Sequence, residues 1–374
     1  MLSEREAYIA LNLIREVGPV TVRLLTETLG SASAIFEADA RQLLAIRGTG
    51  TEIIKKLVAA RKKVNAAAEI ERAAELGAEL VTPADAGYPE PLRNIYDPPL
   101  ALYIKGTLDP RDRHAVAIVG SRHTTSYGRE CASSFAAQFA RAGFTVVSGL
   151  ARGIDTSAHQ GALKAGGRTI AVLGGGLHDI YPPENRALAE EIAASGAVIS
   201  EFQLGREPDK TTFPIRNRIV SGLSQGVVVV EAGLSSGAMI TANVAAEQGK
   251  SVFAIPGRID SPTSQGTHNL IKNGAKLAES VSDVLDDLGS LFTAVSRSAA
   301  RPPEESARAA QIRIPLSGAE QTIMQRLMED DRLDIDTLVR QSGLPAATVS
   351  ATLLMLEMKR LVKTLPGRFV EVAH

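Results

Sequence analysis

The chain has 374 residues, with 41 Lys and Arg against 42 Asp and Glu, 44% hydrophobic residues and a single cysteine. That length exceeds one ordinary hydrophobic core and points to two or three domains, while the charge balance excludes a globally basic surface, so any polyanion site must be a local patch. One cysteine excludes an internal disulfide framework or a cysteine-rich zinc site; no apolar run approaches the ~18 residues of a membrane-spanning helix, and the charged start "MLSEREAYIA" makes the cytoplasm the expected location.

Residues 1–78 read as short helices, because "EVGPVTVRLLTETLG" and "AIRGTGTEIIKKLVAAR" each set a glycine turn before an amphipathic run. This segment is expected to be a small all-helical domain of the SAM or helix-hairpin-helix kind. The Gly48–Gly50 "GTG" resembles a turn that offers amides to a DNA phosphate, but an ordinary tight turn between packed helices is the better fit, because "GPV" at Gly18–Val20 lacks the second glycine.

From 79 to 290 the texture changes to short apolar strands alternating with helix-length segments: "ALYIKG", "AVAIVG", "TVVSG", "TIAVLGGG", "AVISE", "VVVVEA" and "SVFAIPG". Such runs, mostly ending in small residues, predict an α/β fold with an extended Rossmann-like, mostly parallel sheet covered on both faces. Ligands of such sheets bind outside the carboxyl ends of the strands, where the glycine-rich loops of this chain fall. Cys131 is expected as a small buried residue on the helix beginning near Tyr127.

The first such loop, "VGSRHTTSYG", offers Gly120 for a sharp turn, Ser121, Arg122 and a following helix whose free amides suit an anion. The next, "SGLARGIDTSAHQGAL", places Arg152 in the loop; Asp155 reads as the cap of the helix carrying His159, and no nucleophile completes an acid–base pair. In "LGGGLHDIYPPENRAL", His178 and Tyr181 face either a base or the core. The densest cluster is "DKTTFPIRNRIVSGLS", with Lys210, Phe213, Arg216, Asn217 and Arg218 just before a buried strand. Cations suit phosphates, an aromatic ring suits an exposed base, and asparagine can serve either, so the combination fits single-stranded nucleic acid. Phe213 also fits the core, and one arginine could pair with a carboxylate such as Glu231. Neither G-x-x-x-x-G-K-[ST] nor G-x-G-x-x-G occurs, so no nucleotide cofactor is expected, nor any metal.

Residues 291–312, with "SRSAARPPEESARAAQ", have the composition of a flexible linker. Residues 313–374 then read as helix 317–330, helix 334–342, the turn "SGLP", helix 346–360 and a hairpin turning at "LPGR", the order of a winged helix-turn-helix. Its presumed recognition helix, "AATVSATLLMLEMKR", has no basic residue before Lys359, and residues 316–374 hold seven Lys and Arg against eight Asp and Glu. A groove reader normally presents cations to phosphate, so protein contact fits this unit as well as duplex reading does.

Taken in order, "VGSR", "SGLARGID", "AVLGGGL", "YPPEN", "FPIRNRIVSGLS", "VVVEA", "SGAMITA", "VFAIPG" and "GTHNLIKNGA" resemble the DNA-processing protein A family (DprA, also called Smf). The resemblance implies a non-enzymatic bacterial protein of natural transformation that binds incoming single-stranded DNA, protects it and loads the RecA recombinase onto it. It also implies a homodimer formed through the Rossmann-like domain. It places DNA on Arg122 of the G-S-R turn and on Lys210 and Phe213, spaced K-x-x-F, and matches both Arg216 and Arg218 without choosing between them. Two alternatives remain. The loops also resemble nucleoside-monophosphate phosphoribohydrolases, although "EAGLSSGAMITANVAAE" lacks their glycine pair and leaves Glu247 a doubtful catalyst. The winged helix would also suit a transcriptional regulator.

Overall fold

The computed structural model describes residues 2–289, 318–329, 332–358, 362–365 and 369–372. The chain divides into two compact units, Met1–Ala300 and Arg301–His374. The segment expected as a linker, 291–312, lies outside the described residues.

The first unit contains nine strands: β1 (Ala78–Val81), β2 (Leu102–Gly106), β3 (Ala115–Val119), β4 (Thr145–Ser148), β5 (Thr169–Val172), β6 (Ala197–Ser200), β7 (Gly226–Val229), β8 (Ser251–Ala254) and β9 (Lys276–Leu277). They form one sheet in the order β1-β2-β6-β5-β4-β3-β7-β8-β9. Every neighbouring pair from β6 to β9 is parallel. "ALYIKG", expected among the parallel strands, is the exception: as β2 it runs antiparallel to both β6 and β1. β1 and β9 were not foreseen: β9 has only two residues, and in β1 the exposed Glu79 interrupts the apolar run.

The apolar runs bury both faces of the sheet by alternation. Val227 and Val229 face one cluster with Ile219, Val220 and Ala242, whereas Val228 and Val230 face the other with Phe135, Phe139 and Ala158. Chain order reverses between β3 and β7, the topological switch point at which an open α/β sheet leaves a crevice at its strand ends.

The helices of residues 4–75 keep a cluster of their own around Leu11, Leu25 and Leu57. They also share one with the sheet: Ile9, Ala66 and Ala73 pack with Leu80, Tyr103 and Val198. Polar contacts lock that junction, because the Tyr103 hydroxyl donates to Glu69 Oε1 at 2.8 Å and Asn12 Nδ2 donates to the Glu201 carbonyl at 3.2 Å. In the "GTG" turn, Gly48 at φ 87° and Gly50 at φ 75° occupy the left-handed region that favours glycine.

The second unit holds helices Gly318–Glu329, Ile335–Ser342 and Ala346–Met358, with strands β10 (Arg332–Asp334), β11 (Val362–Leu365) and β12 (Phe369–Val372). It is a winged helix. The strands pair antiparallel in the order β10-β12-β11, so the hairpin gains a third strand between the first two helices. Asp334 caps the second helix by accepting from Thr337 N at 3.0 Å, and Gly343 at φ 69° ends it. Ile323, Leu338, Val349, Leu356 and Val370 form its core.

In the first unit, Arg218 ties the helix Thr212–Leu223 to the end of β6. Its Nη1 and Nη2 donate to Glu201 Oε1 and Oε2 at 2.8 and 2.7 Å, and its Nε donates to Asp97 Oδ2 at 2.8 Å. Side chains of Arg218 and Glu201 are 7% and 10% exposed, so removing one charge strands the other in a poorly solvated place. Arg218→Ala is therefore expected to lose about 3 kcal/mol of unfolding free energy in urea titration.

Candidate nucleic-acid interface

The crevice beyond the strand ends is a groove of about 470 Å³ lined from the loops after β3 and β4, the start of the helix Thr212–Leu223 and the turn into the helix Gly237–Glu247. Its floor is set by Arg216, which is 4% exposed. Arg216 Nη1 donates to the Gly149 carbonyl at 2.6 Å and to the Val172 carbonyl, while Nε donates to Asn217 Oδ1 at 3.2 Å. Gly149 is required there, since a Cβ would come within 2.4 Å of the guanidinium. Burial lowers the Arg216 pKa to about 10, opposed by the nearby Asp155 carboxylate.

Asp155 is a loop tie rather than the expected helix cap. The cap position belongs to Gly153, and Asp155 Oδ2 accepts from Gly149 N at 3.1 Å and Ala151 N at 3.3 Å. Between those amides Leu150 adopts φ 57°, an unfavourable conformation for a residue with a Cβ. Asn185, from the "YPPEN" turn, holds it there by donating to the Leu150 carbonyl at 2.9 Å. Neither tie was legible in the sequence, because each residue acts on a loop that only the folded sheet brings close.

Arg122 lies above this floor. Gly120 and Ser121 shape its turn: a Cβ on Gly120 would meet Ile154 at 2.5 Å, and Ser121 N donates to the Glu231 carbonyl at 2.6 Å. The Arg122 guanidinium carbon sits 4.6 Å from the centroid of the Phe213 ring, a cation–π contact. Phe213 is pressed against Gly174, where a Cβ would come within 2.6 Å of its Cδ1, and lies 6.1 Å from Tyr181. Arg152 stands 5.8 Å beyond the Tyr181 ring and forms a two-point ion pair with Glu184. Arg122, Phe213, Tyr181 and Arg152 thus form one row along the strand ends, two adjacent aromatic rings with a cation at each end.

Lys210 also lines the groove and is exposed on a turn that Asp209 fixes by accepting from Thr211 N at 2.7 Å and Thr212 N at 3.1 Å. Those bonds hold the Asp209 carboxyl below the usual carboxylate range, the Thr211 hydroxyl contributing most. Neither Arg122 nor Lys210 forms an ion pair among the described residues.

Three expectations change. The anion position at the start of the helix Ser126–Arg141 is occupied from within the protein, because the Glu231 carboxylate accepts from Thr125 N at 2.9 Å and from the Thr124 and Thr125 hydroxyls at 2.6 and 2.7 Å. Those same bonds satisfy Glu231, so it pairs with no arginine of the cluster. Arg218 is separated from Arg216 by roughly 200° around the helix, which turns it away from the groove and onto Asp97 and Glu201. Asn217, 7% exposed, lines the groove beside Arg216. Cys131 is half-buried against the cluster that contains Phe135. Pro214 and Ile240 also line the groove, and sequence reasoning passed over them because an apolar residue after an aromatic or within a helix carries no ligand signal.

Comparison with known proteins bears on this arrangement. The family model of DNA recombination-mediator protein A matches residues 79–289, and that of the DprA winged helix domain matches 299–368. Protein Smf from Synechocystis sp. is 36% identical over 389 residues, covering 98% of this chain and 98% of the relative. Among solved structures, DNA processing protein A from Streptococcus pneumoniae superposes with a TM-score of 0.66 at 34% identity, covering 76% of this chain and 98% of that one. DNA processing protein A from Helicobacter pylori, described for its single-stranded DNA binding mode, superposes with a TM-score of 0.51 at 32% identity, covering 57% and 96% of the two chains.

The geometry separates two kinds of arginine. Arg216→Met leaves the Gly149 and Val172 carbonyls and Asp155 without their partner and is expected to lose about 3 kcal/mol in urea unfolding, whereas Arg122→Ala is expected to stay within about 0.5 kcal/mol of wild type. Beneath the site, His159 is fully buried and has its Nδ1 2.7 Å from Thr169 Oγ1, which donates its own proton to Val146. Nδ1 is therefore the protonated nitrogen, and burial pushes the imidazole pKa down to about 3. Between the unfolded value of about 6.5 and the folded one, unfolding takes up a proton, so stability falls as pH falls through that window. Urea titrations from pH 7 to 4 are expected to show His159→Gln losing less stability than wild type, by about 1 kcal/mol per pH unit.

Proposed function

Because the chain belongs to the DNA recombination-mediator protein A family, we propose that its strand-end groove binds single-stranded DNA. The observation that carries this reading is the convergence of two cations without carboxylate partners, Arg122 and Lys210, on one groove at the topological switch point. A cation held against an aromatic ring keeps its charge exposed and its position fixed, which suits a phosphate that must be met without sequence preference. The H. pylori relative, described for single-strand binding, supports the same ligand.

Arg122 and Lys210 take the backbone, Gly120 and Ser121 set the turn that presents Arg122, and Asn217 supplies a polar contact at the floor. Arg152 joins them only by exchanging its Glu184 partner for a phosphate. Arg216 and Arg218 hold the site's shape. The protein acts without catalysis: among the described residues the one carboxyl lining the groove, Asp155, is buried and tied to Gly149 and Ala151. Against the phosphoribohydrolase alternative, Glu247 is exposed at the far end of its helix, about 15 Å along the axis from the turn that lines the groove.

From the resemblance, the chain protects DNA entering during natural transformation, loads the RecA recombinase onto it and works in the cytoplasm as a homodimer formed through the α/β unit. No helix among the described residues is long and apolar enough to cross a membrane.

Salt-titrated binding of the full chain to an oligo-dT and to a duplex of equal length tests the groove. Tighter binding of the single strand is expected, with Arg122→Ala combined with Lys210→Ala weakening it at least about tenfold and flattening the log–log salt slope by about 0.7 per lost contact. An unchanged affinity and slope in that double variant would falsify the assignment.

A further inference from the structure

The helix Ser126–Arg141 runs for 16 residues and begins at the strand ends, after β3 at the topological switch point. A helix of that length carries partial positive charge at its first turn, and open α/β sheets commonly hold a ligand's phosphate there. Here a side chain from the other strand of the switch point fills the position: Glu231, two residues after β7, is 4% exposed. Its Oε2 accepts from Thr124 Oγ1 at 2.6 Å and Thr125 N at 2.9 Å, and its Oε1 accepts from Thr125 Oγ1 at 2.7 Å and Thr263 Oγ1 at 3.4 Å.

Two observations separate this carboxylate from an ordinary helix cap. The helix already has a cap of its own, because the Thr125 hydroxyl accepts from Gly128 N at 3.1 Å. The first turn also keeps room for the carboxylate: a Cβ on Gly128 would come within 2.3 Å of Glu231 Oε2. None of the four donors is a cation, so the buried negative charge is met by an amide, three hydroxyls and the helix dipole, a donor set that equally suits a phosphate. The Glu231 carbonyl accepts from Ser121 N at 2.6 Å, which ties the same residue to the turn that carries Arg122.

We infer that Glu231 is a built-in surrogate for a ligand's phosphate and thereby a specificity-determining residue of the strand ends. It holds the innermost anion position, so a lone phosphate group finds that position closed, and an anionic ligand must be met by the exposed cations outside it. A strand can do without the inner position because it sets several phosphates on outer cations at once, whereas a lone phosphate has one charge centre to offer. The assignment does not rest on the single-strand reading, though it explains why the groove offers a strand only its outer cations. Removal of the carboxylate leaves four donors around a space that a small tetrahedral anion can enter.

The test follows thermal melting of the full-length chain in inorganic phosphate and in sodium chloride of equal ionic strength. Glu231→Ala is expected to melt about 8 °C below wild type in chloride, and about 10 mM phosphate is expected to restore about 3 °C of that loss while moving wild type by less than about 1 °C. Phosphate contact with Arg122 and Lys210 is common to both chains and cancels in the comparison. Glu231→Gln fills the same space without the charge; it is expected to melt about 3 °C below wild type and to respond to phosphate no more than wild type does. Equal phosphate shifts in wild type and Glu231→Ala overturn the inference, since a purely structural carboxylate leaves no anion site behind. Should Glu231→Ala fail to fold, Glu231→Gln decides: a melt equal to that of wild type shows that the position needs no anion and overturns the inference, and the lowered melt supports it.

Discussion

A guanidinium buried at the ends of parallel strands is the constraint from which the site follows. Arg216 bonds the Gly149 and Val172 carbonyls, which follow β4 and end β5, and lies close to Asp155. Burying such a charge is unfavourable unless its donors and its counter-charge are met. Meeting them fixes much else: Gly149 must lack a Cβ, Asp155 must face inward and gather the loop amides, and Leu150 must take a left-handed conformation that Asn185 secures. One buried charge beneath the loops thus sets the conformation they share.

On that floor the exposed charges are sorted by what they already bind. Glu231 fills the anion position at the start of the helix Ser126–Arg141, and Glu184 occupies Arg152. Arg122 is held by an aromatic face, which orients a cation without neutralising it. Lys210 sits on a turn fixed by Asp209, whose carboxylate is directed to Arg206 and to amides rather than to the lysine. A surface with balanced overall charge can in this way present a strongly polarised groove.

The helical segment at the amino terminus bears on the same architecture from the opposite edge. Its packing on β1 and β2, through Ile9, Ala66, Leu80 and Tyr103, covers a sheet edge that changes from parallel to antiparallel pairing. The boundary near residue 78 marks a change in sequence texture, while the hydrophobic packing crosses it.

The sequence by itself determined the order of elements, the α/β class, the strand-end position of the ligand loops and the winged-helix order, because these rest on local periodicity and on turn chemistry within a few residues. The run Val227–Val230 reads as a doubly buried strand from its own composition. Only the tertiary structure decided which charges are free. Arg216, Asn217 and Arg218 are adjacent in the chain, yet helical geometry sends the two arginines to different partners contributed by residues more than forty positions away in one case and by Asp97 and Glu201 in the other. Neutralisation is a long-range property of the fold, and a sequence read locally shows a cluster of cations where the folded protein, among the described residues, leaves Arg122 and Lys210 without a carboxylate partner.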